Sequence, residues 1–171
     1  MKIIPFTVEG YYFIKMIELY AAIFKADPKV MKKQFQQHYR YPNFEGYLAV
    51  INNQVAGYIY GYTSRRGQYY HHLLANHLLS NDGWLKNCLV LAELGVHPRY
   101  RRRGIAKQLI HILLQNRREK TALLTVRRDN HNAVSFYKKQ GWVVIRDGFY
   151  PNVPYEFLIM GKVLNKVKSI G

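Results

Sequence analysis

Apolar positions change period several times along the chain, and each change marks an element. Between residues 11 and 25 apolar and aromatic side chains (Phe13, Ile14, Ile17, Tyr20, Ala21, Phe24) recur at helical spacing, and Asp27-Pro28 breaks the run. Pro28 opens a second helix through residue 40, because a proline in the first turn loses no intrahelical bond. Residues 2–8 read as a strand. Residues 46–51 and 54–62 are apolar, β-favouring runs separated by Asn52-Asn53. Asparagine tolerates positive φ, so the pair predicts a tight hairpin.

The pattern from residue 63 to 87 is less regular, with a short helix over 69–79 and a turn at Ser80-Asn81-Asp82-Gly83. Beyond it lie a strand (88–96), a helix (104–116), a strand (121–126) and a helix (130–139). Gly141 stands where a helix C-cap glycine belongs. Two strands, 142–146 and 155–160, close the pattern. Strands and helices intermingle in the manner of a mixed α/β protein with one central sheet. No repeat, low-complexity tract or Pro/Gly/Ser linker interrupts it, so residues 1–171 read as a single domain.

Composition narrows the class. A chain of 171 residues can bury one core, and 49% hydrophobic with 21% charged residues excludes a disordered polymer. No apolar run approaches the ~20 residues that span a bilayer, and the start of the chain shows no secretory apolar region. Cys88 is the single cysteine, which excludes an internal disulfide framework and a multi-cysteine metal site. The expectation is a reduced, cytoplasmic, non-membrane protein, monomeric or homodimeric. The net charge of +16 changes that picture, because it draws anions: phosphorylated cofactors, nucleic acid, acidic partners or anionic lipid.

Candidate chemistry concentrates after the strand ending at Val96. The run Val96-His97-Pro98-Arg99-Tyr100-Arg101-Arg102-Arg103-Gly104-Ile105-Ala106 joins an apolar strand to a helix through a basic, glycine-bearing turn. Free N–H groups at a helix N-terminus cradle a pyrophosphate. Gly104 permits close backbone approach, Ala106 stays small, and the arginines add charge-assisted hydrogen bonds. Neither the Gly-Lys-Ser/Thr of a P-loop nor the G-x-G-x-x-G of a dinucleotide fold occurs.

Arg101-x-x-Gly104-x-Ala106 after Val96-x-Pro98 resembles the acetyl-CoA-binding motif of the GNAT superfamily of N-acetyltransferases. Asn130-x-x-Ala133-x-x-x-Tyr137-x-x-x-Gly141-Trp142 resembles its second signature, with Trp142 where the family usually has Phe. The resemblance covers roughly residues 91–142. It implies a mixed, mostly antiparallel central sheet, splayed after the 88–96 strand and flanked by helices on both faces. It also implies acetyl-CoA as cosubstrate, no metal, and transfer of an acetyl group to a primary amine. Leu94, Gly95, Val96, Arg101, Arg102, Arg103, Gly104, Ile105, Ala106, Asn130, Ala133 and Tyr137 are the cofactor-binding residues that it implies.

An alkylamine of pKa ~10.4 is almost wholly protonated at pH 7, so acyl transfer gains from a base. Glu93 is the only carboxylate between Asp82 and Glu119. On an alternating strand it shares a face with Gly95, opposite Ala92, Leu94 and Val96. The resemblance makes Glu93 the base, and Tyr137 the acid that protonates the departing thiolate. It also implies backbone donors near Leu94 and Val96 for the thioester oxygen.

Cys88 opens an apolar run and reads as a buried small side chain. His71, His72 and His77 lack the spacing that aligns metal ligands. They are expected, with Tyr69, Tyr70 and Trp84, to form an acceptor-selecting lid in the 63–87 segment, unless Leu73, Leu74, Leu78 and Leu79 merely pin it to the core. Lys32, Lys33, Arg65, Arg66, Lys162, Lys166 and Lys168 add basic patches beyond what CoA requires. They leave room for weak nucleic-acid binding. They also support a different reading: a nucleic-acid- or ribosome-associated binding protein on an acetyltransferase-like fold.

Overall fold

The computed structural model describes residues 1–79 and 82–164. Ser80 and Asn81 of the expected turn, and Lys166 and Lys168 of the basic patches, lie outside them. The elements run β1 (Lys2–Pro5), α1 (Tyr11–Phe24), α2 (Pro28–Tyr39), β2 (Glu45–Ile51), β3 (Gln54–Thr63), α3 (Tyr69–His77), β4 (Cys88–Val96), α4 (Ile105–Leu114), β5 (Thr121–Arg127), α5 (His131–Lys139), β6 (Val143–Phe149) and β7 (Phe157–Val163). This is a mixed α/β fold in which four of the strand pairings are antiparallel and β4–β5 is parallel. The chain divides into two compact units, residues 1–62 with 91–117 and residues 63–90 with 118–171, so β4 contributes to both.

In the first unit the strands lie in the order β1-β2-β3-β4. Asn52 and Asn53 both take positive φ, 49° and 61°, as a tight β2–β3 turn requires. The first strand is shorter than its apolar run. It stops at Pro5, and the Phe6 ring turns inward against Phe44 and Tyr60. Lys25 ends α1 in the left-handed region, and the Asp27 carboxylate caps α2 by accepting from Lys29 N at 2.9 Å.

Both faces of β3 are covered. On one, a Cβ at Gly57 would meet Ile105 Cγ2 at 3.1 Å and Leu109 Cδ1 at 3.4 Å, so α4 seats its buried Ile105 and Leu109 directly on the strand. On the other, Tyr58 and Tyr60 are fully buried against Tyr20 of α1 and Phe35 of α2. The aromatic content of this chain is used here, as a second core layer of edge-to-face rings.

The second unit orders β4-β5-β7-β6. Its registered β4–β5 pairs are the first three residues of β4, Cys88–Val90 against Thr121–Leu123. The β5–β7 ladder is continuous from Thr121↔Val163 to Arg127↔Phe157, whereas β6 shifts register twice against β7. Gly141, at φ 89°, ends α5 with its N–H on Lys138 O, and Trp142 N closes on Tyr137 O at 3.1 Å. Among the described residues no helix is long and apolar enough to cross a membrane.

On the β4 strand, a Cβ at Gly95 would lie 2.5–2.7 Å from the hydroxyl and ring of buried Tyr58. Gly95→Ala is expected to cost about 1–3 kcal/mol of overpacking. That lowers Tm by several degrees at ~2–4 °C per kcal/mol for this size. A Tyr58→Leu background should return part of the loss in a calorimetric double-mutant cycle. Full additivity would show that the two residues do not compete for space.

Candidate active site

The basic turn after β4 is built by backbone conformation as much as by charge. Pro98–Tyr100 forms a single 3-10 turn capped by His97, whose Nδ1 accepts from Arg99 N at 3.1 Å. Arg101 bonds back to Val96 O at 3.2 Å through Nε. Arg102 (φ 62°) and Gly104 (φ 78°) are both left-handed, and α4 begins at once with no side chain capping its N-terminus. A Cβ at Gly104 would meet nothing within 4 Å, so the space over the helix end is open. Arg101, Arg102 and Arg103 are exposed around it, while Ile105 is buried and anchors the first turn. Sequence reading singled out Arg101, Arg102, Arg103, Gly104 and Ile105, but not the left-handed backbone of Arg102, which no local signal marks. Uncapped N–H groups, an open face and flanking arginines suit an anionic pyrophosphate.

Glu93 lies on the aromatic face of β4. Tyr20 of α1 donates its hydroxyl to Glu93 Oε1 at 3.4 Å. Gly95, two residues on, sits under Tyr58, so Glu93 and Gly95 share the face that strand alternation assigns them. Burial pushes the Glu93 carboxyl up to about 8, with the Tyr20 hydrogen bond pulling it part of the way back. Burial first, and the Glu93 charge second, also push the Tyr20 and Tyr60 hydroxyls up. His38 of α2 lies 2.7 Å from the Tyr60 hydroxyl through Nδ1, and burial holds its pKa down at about 4, so it is neutral at pH 7. Tyr20 and His38 escaped sequence reading because one aromatic among fifteen tyrosines, and one histidine among seven, carries no mark until α1 and α2 fold onto β3.

In the second unit Asn130 caps α5, its Oδ1 accepting from Ala133 N at 3.2 Å. Tyr137 is buried on that helix, edge-on to Trp142 with ring centroids 6.1 Å apart. The 63–87 segment is bonded into the same unit. Tyr70 hydrogen-bonds Thr125, Tyr69 bonds Asn152, His71 Nδ1 lies 2.8 Å from Ser64 Oγ, and His77 Nε2 lies 2.8 Å from Asp147 O. The Trp84 ring fills the space over Gly161. Leu74 and Leu78 are buried, whereas Leu79 is exposed. Those bonds belong to a scaffold more than to a lid. Cys88 is buried, and burial pushes its thiol up to about 12. Among the described residues no group of three His, Cys, Asp or Glu could hold a metal.

The model for the acetyltransferase (GNAT) family matches residues 13–142, and the chain belongs to that family. It is therefore a GNAT-family acetyltransferase. Among solved structures, Arabidopsis thaliana NAA60 in complex with acetyl-CoA superposes with a TM-score of 0.69 at 17% identity, over 96% of this chain and 100% of that one. An aminoglycoside 6′-N-acetyltransferase complexed with coenzyme A gives 0.69 at 15%, over 97% and 98%. The ribosomal-protein-S18-alanine N-acetyltransferase of Escherichia coli gives 0.66 at 14%, over 99% and 97%. At such identities the likeness speaks for the fold, and the named acceptors differ from one another. No curated protein sequence matches the chain.

The raised Glu93 pKa has a consequence for stability. Between the ordinary carboxyl value of 4.5 and about 8 the folded chain keeps a proton that the unfolded chain releases. This group's contribution is therefore greatest at low pH and falls as pH rises through that window. Glu93→Gln removes the penalty, because an amide never ionises. Its unfolding free energy relative to the parent should climb between pH 5 and 8, at up to about 1.4 kcal/mol per pH unit, and its Tm should rise with it. A difference that stays flat over that range would mean the carboxylate is well solvated.

Proposed function

We propose that this protein transfers an acetyl group directly from acetyl-CoA to a primary amine, with Glu93 as base and Tyr137 as acid. The observation that carries the proposal is a carboxylate held by Tyr20 within an aromatic wall, with its pKa raised to about 8. Bound acetyl-CoA supplies an activated acetyl thioester. The uncapped end of α4, with Arg101, Arg102, Arg103, Gly104, Ile105 and Ala106, would hold its pyrophosphate. Backbone groups of Leu94, Gly95 and Val96 would hold the arm near the thioester. Asn130, Ala133 and Tyr137 would complete the cofactor side.

Glu93 takes the proton of the incoming ammonium, directly or through water. Against an alkylammonium of pKa ~10.4, an ordinary carboxylate at 4.5 falls short by about 6 units, and Glu93 by only about 2. The Tyr137 role rests on its register in the Asn130 motif. We take the chain to work as one catalytic domain, since the family match runs through parts of both compact units, and to work in a reduced cytoplasmic setting.

Acetyl-CoA at ~100 times its dissociation constant should add ~2.7 kcal/mol, a rise in Tm of roughly 5–10 °C. Gly104→Asp should abolish that rise by putting a carboxylate where the pyrophosphate sits. A folded parent protein with no shift would remove acetyl-CoA from the reading.

Kinetics separate the two catalytic roles. Tyr137→Phe keeps the packing against Trp142, and should lower kcat by ~10²-fold or more while acetyl-CoA affinity holds. For the parent, kcat/KM should rise with pH through about 8, as Glu93 ionises. Glu93→Gln should lose most activity at neutral pH and recover as the amine deprotonates unaided. A loss independent of pH would assign Glu93 to binding instead.

A further inference from the structure

We propose that the outer face of α2 docks an acidic segment of a protein or peptide acceptor, near the amine to be acetylated. The proposal rests on the acetyltransferase reading above and gives it a substrate class. Helix α2 has two contrasting faces. Met31 and Phe35 are buried, Phe35 packs edge-on against Tyr20 at 5.3 Å, and His38 meets Tyr60. Tyr20 in turn holds Glu93, so the inner face of α2 walls the surroundings of the base. The opposite face carries Lys29, Lys32, Lys33, Gln37 and Arg40, all exposed. Lys29 and Lys33 are one helical repeat apart, and Arg40 follows on the same stripe.

Among the described residues no carboxylate balances this stripe. From Pro28 to Phe44 there is no acidic residue. Some basic side chains elsewhere are matched: Lys15 to Glu18, Arg117 to Glu45, Arg127 to Asp129 and Arg128 to Glu156. The side chains of Lys29, Lys32, Lys33 and Arg40 meet no carboxylate among the described residues. Asp27 at the head of the helix is engaged in capping Lys29 N. Three lysines in the first half of a helix also oppose its dipole, and like charges four residues apart repel. The stripe therefore costs the fold stability, which is expected of a surface kept for an anionic partner.

The chemistry of transfer selects among anions. The acceptor must present a nucleophilic amine, as a peptide does and as the ring-conjugated amines of nucleobases do not. Polycationic amines would be repelled. A helix is ~10–12 Å across with its side chains, and an extended chain covers ~3.3–3.6 Å per residue. The acidic residues should therefore lie roughly three to six positions from the reacting amine.

The test is fluorescence anisotropy on the full chain at ~150 mM salt, with coenzyme A present to occupy the arginine turn. The probes are a labelled peptide with glutamates at positions four to seven and its glutamine counterpart. The acidic peptide should bind at least ~10-fold more tightly. The K29E/K33E/R40E variant should erase that preference, and the milder K29Q/K33Q/R40Q should reduce it. K86E/R118E/K120E, an equal charge change on exposed residues of the second unit, should leave most of it. Equal binding of the two peptides overturns the proposal, as does equal loss in both reversal variants, which would make net charge the cause. Single-stranded RNA that displaces the peptide, and loses affinity with the same α2 substitutions, overturns it in favour of nucleic acid. Binding is read without turnover, so its failure is distinct from failure of the catalytic reading. K29E/K33E/R40E should still acetylate a small primary amine that carries no acidic group at the parental rate.

Discussion

The packing of Gly95 beneath Tyr58 is the constraint on which the rest of the site depends. A strand that is to bring a carboxylate against a wall of tyrosines must itself come close to that wall. A Cβ at position 95 would lie only 2.5 Å from the Tyr58 hydroxyl. With glycine there, β4 lies flat under the ring and Glu93 reaches Tyr20 of α1. The opposite face uses the same device, since Gly57 of β3 lets Ile105 and Leu109 approach the backbone. Ile105 is the first residue of α4, so that contact also fixes where the uncapped helix end begins. Two glycines on adjacent strands thus set the carboxylate on one face and the arginine-bearing turn beside the other.

The two halves of this arrangement handle charge in opposite ways. Around Glu93 the protein removes it: the carboxyl is pushed towards neutrality, His38 is held uncharged, and the tyrosine hydroxyls keep their protons. At the α4 turn and along α2 the protein displays charge, with arginines and lysines exposed and largely unmatched. In the proposed reaction this would attract anionic ligands without placing a fixed cation where a proton must leave an ammonium.

Much of this was legible in order along the chain. Asn52-Asn53 announced its turn because asparagine tolerates the φ values found there, and β4 spans the residues its apolar run predicts. Gly104 and Asn130 were readable because both act through local backbone geometry. The features that were not legible depend on partners distant in sequence. Tyr20 and Glu93 are 73 residues apart, and no periodicity distinguishes Tyr20 from the other apolar residues of α1. The left-handed Arg102 lies in a run of arginines with no turn signature of its own. Trp84 could be read as a ligand-stacking residue until the bare backbone of Gly161 proved to be the surface it covers.

In the proposed role of Glu93 as base, its raised pKa costs little. At pH 7 a carboxyl with pKa about 8 is ionised in roughly one molecule in ten, a penalty of about 1.4 kcal/mol. The shift from 4.5 to about 8 increases its proton affinity by about 5 kcal/mol at the same rate per unit. Proton transfer from an ammonium becomes easier by more than the ionised fraction falls, as general-base catalysis favours when the base approaches the operating pH. Burial raises the Glu93 carboxyl, and Tyr20, which donates to it, packs with Tyr58 and Phe35 in the second core layer of the first unit. Stability and basicity therefore draw on the same rings. A substitution that opens the wall to water would return the carboxyl towards 4.5 at the same time as it loosened the core.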